Sequence, residues 1–170
     1  MDFNNKVIIA DCKRSPIGAY KGMFHEYSAP EIAGFVLNEL MKDRTFSDQC
    51  LTEVLLGQVL QAGQGQAPAR QAVIYAGLGG HVSATTINKV CGSGLKAITQ
   101  AFDMLSAKNA DVVIAGGMES MSHAPYLLER QDKGKYDLQT YLKDHLFHDG
   151  LQNAYDEKQF ELRHTKMKTI

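Results

Sequence analysis

Apolar residues fall along this chain in short runs and in helical stripes, and the two kinds alternate. Residues 7–10, Val-Ile-Ile-Ala, are a β-branched run followed by a polar stretch, which predicts a buried strand. Residues 14–18 read as a turn, and the loop continues through Phe24. Ser28-Ala29-Pro30-Glu31 has the form of a capping box, in which Ser28 accepts from the Glu31 N–H and Glu31 reaches back. Ile32, Phe35, Val36 and Leu40 follow at helical spacing, and the helix should end near Lys42 or Asp43. Residues 53–60 predict a second strand, 62–66 a loop, and 67–76 a short helix stopped by Gly77. Residues 84–90 predict a third strand. The helix of residues 93–107 comes next, with Leu95, Ile98, Phe102 and Leu105 on one face that should be core. Residues 111–115 are a fourth apolar strand, closed by Gly116-Gly117. Strand, helix, strand with short connectors predicts an α/β fold with parallel strands and a right-handed crossover.

Past Gly117 the pattern loosens. Residues 118–126 are loop-like, and 129–135 are charged. Residues 137–147 predict an amphipathic helix with Leu138, Tyr141, Leu142, His145 and Leu146 facing inward. Residues 157–170 carry no periodic core signal and are expected to be poorly ordered. The chain therefore divides into an α/β unit (1–117), a looser segment (118–156) and a tail (157–170).

The candidate chemistry gathers at Asn88-Lys89-Val90-Cys91-Gly92-Ser93-Gly94. Cys91 lies where a predicted strand meets a predicted helix, and its small neighbours leave it little steric cover. A thiol placed there meets the positive end of the helix dipole and the unpaired N–H groups of the first turn, which favour the thiolate nucleophile. The other two cysteines, Cys12 and Cys50, stand far from it and from each other, and Cys12 at the end of a strand reads as core. Three dispersed cysteines make neither a disulfide framework nor a metal pair, and they suit a reducing cytoplasm. Gly63-x-Gly65 between a strand and a helix invites a dinucleotide reading. Pro68 occupies the third glycine place, and no acidic residue follows about 20 positions on to meet a ribose, so that reading fails. Arg70 reads as an ion-pair residue or a ligand-positioning one.

Composition narrows the partners. The 170 residues suffice for one cored domain, and a net charge of −1 gives no reason to expect nucleic acid or an anionic membrane surface. The N-terminal residues lack the pattern of a secretory leader, and no stretch is long enough to span a bilayer.

The heptapeptide around Cys91 resembles the nucleophile motif of the thiolase family. Three further stretches agree with it: Arg14-Ser15-Pro16-Ile17-Gly18, Gly65-Gln66-Ala67-Pro68-Ala69-Arg70-Gln71-Ala72, and Gly116-Gly117-Met118-Glu119-Ser120-Met121-Ser122. The likeness runs from about Lys6 to about Asp156 and is nearest the branch that interconverts two acetyl-CoA with acetoacetyl-CoA and CoA. It implies a half of the family fold, a mixed, mostly parallel sheet flanked by helices, followed by an incomplete loop domain. It also implies that Cys91 takes the acetyl group as a thioester, with its own backbone N–H as oxyanion donor. Coenzyme A enters as substrate, and neither a resident cofactor nor a metal is implied. Homo-oligomers, dimers or tetramers, are the family's habit.

The departures are as specific as the likeness. Thiolases are more than twice this long, and their second half supplies the activating histidine, a second cysteine and the enolate-binding groups. His25, His81, His123, His145, His148 and His164 match none of those positions and read as structural or exposed. Where the family continues with His-Met-Gly, this chain has Gln159-Phe160-Glu161, as an interrupted reading frame would give. The expected alternatives are a catalytically dead fragment, and a condensing enzyme of the ketoacyl-synthase kind. Met118-Glu119-Ser120-Met121-Ser122 favours thiolase over the latter. With half the family fold absent, apolar faces would meet water and promote association.

Overall fold

Residue Ser28 starts the first long element as its sequence predicts. In the computed structural model, which describes residues 6–42, 48–128 and 142–154, the Ser28 N–H and hydroxyl both donate to Glu31 Oε2, at 2.8 and 2.7 Å, and the Glu31 N–H returns to Ser28 Oγ at 3.4 Å. This box opens α1 (Ala29–Lys42), with Pro30 in the first turn where its missing N–H is no loss. The Ser28 hydroxyl, and then its amide, hold the Glu31 carboxyl below the usual carboxylate range.

Three strands form the main sheet: β1 (Leu51–Gly57), β2 (Ser83–Ile87) and β3 (Val112–Gly117). Their order is β2-β1-β3 and every pairing is parallel, with Val54 opposite both Ala84 and Ile114. The central strand is apolar on both faces because both are covered. Val54 and Leu56 pack with α1 and with α2 (Pro68–Tyr75), while Leu55 packs with α3 (Ser93–Ser106) against Ala97 and Ala101. α1 crosses α2 at Gly34, where a Cβ would stand 2.4 Å from the Tyr75 Cβ. Asn38 Nδ2 donates to Ala76 O at 3.1 Å, which ties α1 to the end of α2. A two-stranded antiparallel ribbon, β4 (Tyr126–Leu128) with β5 (Leu142–Asp144), lies apart in sequence and ends in a wide helical turn, Leu146–Leu151.

Several expectations need correction. Residues 7–10 are not a strand; Ile8 and Ile9 are 75% and 86% exposed. A β-branched run forms a strand only where a neighbour accepts its hydrogen bonds, and among the described residues it pairs with none. Cys12, expected in the core, is therefore exposed as well. The strand from residue 53 stops at Gly57 rather than running to 60, and the one from residue 83 stops at Ile87 rather than at Val90. The stripe on α3 is not core: Leu95, Ile98 and Phe102 are 68%, 48% and 56% exposed, and the buried residues are Ser93, Ala97 and Ala101. The sheet approaches the first turn of that helix backbone to backbone, so the small face turns in and only Met104 among its larger residues packs beside it. Residues 142–144 are strand, not helix, although His145 and Leu146 are buried as expected. The remainder of that expected helix, and the tail from residue 157, lie outside the described residues.

Replacing Ser28 with Ala should cost about 1 kcal/mol in urea unfolding at neutral pH. A depressed Glu31 makes its contribution above the ordinary carboxylate range and loses it as pH falls through the lowered value. The gap between wild type and Ser28→Ala should therefore narrow in acid. A pH-independent gap would contradict the box as the cause.

Candidate functional site

Adjacent parallel strands β1 and β2 send their outgoing connections to opposite faces of the sheet. β1 leads to α2 on the α1 side, and β2 leads to α3 on the other. Such a switch point leaves a crevice at the carboxyl ends of the strands, where open α/β sheets bind their ligands. Residues 88–92 make the β2–α3 connection there, and Cys91 is exposed within it.

The connection is a tight turn built against glycines. Val90 has φ +49°, a left-handed conformation that a β-branched residue rarely adopts. Its N–H donates to Asn88 Oδ1 at 2.9 Å, and its carbonyl accepts from the Ser93 N–H and hydroxyl at 3.0 and 2.6 Å. The Lys89 N–H donates to Ser93 Oγ at 2.8 Å, and the Gly92 N–H to Lys89 O at 3.1 Å. Gly92 caps α3, so Cys91 stands immediately ahead of the cap, beside the first turn. That first turn sits on bare backbone. A Cβ at Gly57 would stand 2.5 Å from the Ser93 carbonyl carbon and 2.6 Å from the Gly94 nitrogen, and one at Gly117 would stand 3.4 Å from the Gly94 Cα.

Of the three flanking motifs, the third braces the end of β1 beside this corner. Met118 N–H donates to Gly57 O at 2.9 Å, joining the ends of β3 and β1. Glu119 accepts from the Val59 and Leu60 amides at 2.9 and 3.0 Å, while desolvation pushes its carboxyl above the ordinary value against the pull of those bonds. Ser120 Oγ donates to Tyr27 O, and Ser122 Oγ accepts from the Lys21 N–H. In the second motif Gln71 Nε2 holds the Gln64 and Gln66 carbonyls, and Arg70 donates to Val82 O at 2.6 Å. Arg70 thus closes a backbone loop, and among the described residues it makes no ion pair. In the first motif Arg14, Ser15 and Pro16 line a shallow groove of about 350 Å3 with Phe24, Ile32 and Phe35.

The bracing contacts of Glu119 and His145 are not legible in the sequence, although His145 reads as structural and is so. His145 is buried; its Nε2 accepts from the Ala62 N–H at 3.2 Å and its Nδ1 pairs with Asp149 Oδ2 at 2.5 Å. Together with Glu119 it satisfies the amides of the loop that leaves β1. The loop amides they satisfy lie 59 to 83 residues away in sequence, beyond the reach of local pattern; only Asp149, four residues from His145, is a local partner. His25, His123 and His148 make local or backbone contacts, and His81 is exposed; His164 lies outside the described residues. Cys50 is exposed, like Cys12 and Cys91. Among the described residues no three His, Cys, Asp or Glu side chains converge as a metal site would require.

The family model described as "Thiolase, N-terminal domain" matches residues 7–167. An acetyl-CoA acetyltransferase of Allochromatium vinosum is 44% identical over 153 residues, 90% of this chain and 39% of the relative. A probable acetyl-CoA acetyltransferase of Escherichia coli is 44% identical over 151 residues, 89% of this chain and 38% of the relative. A probable acetyl-CoA acyltransferase of Staphylococcus epidermidis is 42% identical over 154 residues, 90% of this chain and 39% of the relative. The chain thus spans 38–39% of the length of these relatives.

Gly57→Ala should destabilise the chain by about 1–3 kcal/mol, because the new methyl meets backbone that has nowhere to move. Gly80→Ala, where a Cβ meets nothing within 4 Å, is the control. Equal unfolding midpoints for the two variants would contradict the seat.

Proposed function

The chain belongs to the thiolase family, and on that premise we propose that it carries the acyl-accepting part of an acetyl-CoA C-acetyltransferase, with Cys91 as the nucleophile. The Cys91 sulfur attacks the thioester carbonyl of acetyl-CoA. The bond from that carbon to the CoA sulfur breaks, and CoA leaves as the thiol with the proton Cys91 gave up. One thioester replaces another, so the step is nearly thermoneutral, and the acetyl group stays reactive on the protein. A second acetyl-CoA, deprotonated at its methyl, then attacks the acetyl-cysteine. A carbon–carbon bond forms, the Cys91 thioester breaks, and acetoacetyl-CoA departs. The Cys91 backbone N–H is the proposed donor to the tetrahedral oxyanion. No resident cofactor enters, since coenzyme A arrives and leaves with the substrates.

One observation carries the reading: an exposed thiol just ahead of a helix, at the switch point of a parallel sheet. The groups that deprotonate Cys91 and hold the enolate belong, by the family likeness, to polypeptide beyond the part matched here. The acyl-exchange half-reaction therefore tests the chain more fairly than condensation does. Labelled CoA should exchange into acetyl-CoA in the presence of the chain, at a rate above buffer, and Cys91→Ser should abolish the exchange. Exchange that persists in Cys91→Ser overturns the assignment, and a folded wild type without exchange favours the catalytically dead alternative.

The outward face of α3 supports a partner. Leu95, Ile98 and Phe102 lie on one helix exposed to water, and a surface of that kind marks an association site. We propose that the chain is a homo-oligomer when no further thiolase polypeptide covers this face, and that it works in the cytoplasm, where three free thiols are at home. No helix among the described residues is long and apolar enough to cross a membrane. Sedimentation at micromolar concentration should show species larger than the monomer, and Phe102→Glu should shift them down. A monodisperse wild-type monomer contradicts the proposal.

A further inference from the structure

The left-handed residue beside the cysteine needs something to hold it. Val90 is β-branched, half-exposed and at φ +49°, a conformation that persists only where its surroundings over-determine it. Little packing is available to do so, because half of the side chain faces water. The hydrogen bonds on either side of it remain, and three of the five meet at Ser93. The Ser93 hydroxyl accepts from the Lys89 N–H, before Val90, and donates to the Val90 carbonyl, after its φ bond; the Ser93 N–H donates to that same carbonyl. The other two run from the Val90 N–H to Asn88 Oδ1 and from the Gly92 N–H to Lys89 O. Ser93 is 4% exposed, and its own backbone is wedged against Gly57.

We propose that Ser93 is a positioning residue for Cys91: its buried hydroxyl clamps the backbone on both sides of Val90 and so fixes the strained turn that presents the thiol beside the first turn of α3. The inference rests on the reading of Cys91 as the nucleophile. The chain of constraint runs from the end of β1 through Gly57 to the fixed first turn of α3, from Ser93 to Val90, and from Val90 to Cys91. Without the hydroxyl, Lys89 loses its acceptor, Val90 relaxes toward negative φ, and Cys91, the next residue, moves from its exposed place immediately ahead of the α3 cap.

The test compares wild type, Ser93→Ala, Val90→Asn and the double variant under limiting iodoacetamide, reading modification of Cys91 against Cys12 by peptide mapping. Both thiols are exposed, so Cys12 serves as an internal standard. Ser93→Ala should lower the Cys91/Cys12 ratio several-fold. Asn tolerates the left-handed region, so Val90→Asn alone should keep the ratio near wild type, and the double variant should recover most of the loss. A serine that serves only stability would lower the unfolding midpoint and leave the ratio unchanged, which overturns the proposal, as does a ratio that falls without recovery in the double variant. Should Ser93→Ala fail to fold, Val90→Asn alone decides: relief of strain raises the wild-type unfolding midpoint, and a lowered midpoint contradicts the clamp. Alkylation does not depend on acetyl transfer, so failure here is distinct from failure of CoA exchange.

Discussion

At the carboxyl end of β1 the chain leaves no room for a side chain. Gly57 lies under the Ser93–Gly94 backbone, Gly117 lies beside Gly94, and the Met118 N–H closes onto the Gly57 carbonyl. This contact of backbone on backbone sets the height of α3 above the sheet. Because the helix sits so low, the residues buried beneath it are Ser93, Ala97 and Ala101, with Met104 packed partly covered beside them, while Leu95, Ile98 and Phe102 are turned outward. The position of Cys91 follows from the same constraint, since the turn that carries it is anchored to the helix start by Ser93.

The low helix links two features that look unrelated. One is a thiol open to solvent at the mouth of the sheet; the other is an apolar helix face open to solvent behind it. Both follow from a helix whose small residues meet the sheet and whose Leu95, Ile98 and Phe102 face away from it. α1 repeats the theme: Ala33, Leu37 and Met41 bury one face against the sheet side, while Phe35 on another is exposed. A helix apolar on more than one face is built to be covered on more than one side.

How far the sequence could be read depended on how far apart the interacting residues lie. The Ser28–Glu31 box was legible because its partners are three residues apart and its geometry is fixed by the helix itself. The order of strands and helices was legible because burial of a parallel sheet forces continuous apolar runs. The facing of α3 was not, since periodicity shows that Leu95, Ile98 and Phe102 share a face but not which layer meets it. Residues 7–10 read as a strand on composition, yet a strand exists only with a neighbour. Leu142 and Asp144 fitted a helical stripe, and the pairing with Tyr126–Leu128 that makes them strand is set by tertiary contact. Among site residues, Cys91 stood out through its glycine-rich surroundings, whereas the bracing by Glu119 and His145 came from distant segments that local pattern does not connect.

The account reduces to a placement: of three solvent-exposed thiols, only Cys91 stands at the switch point of the sheet. Incubation with a limiting amount of labelled acetyl-CoA, followed by quenching and peptide mapping, makes the three compete. The account predicts acetyl label on Cys91, with Cys12 and Cys50 at background. Label spread evenly over the three would show that exposure alone governs the chemistry, and would contradict it.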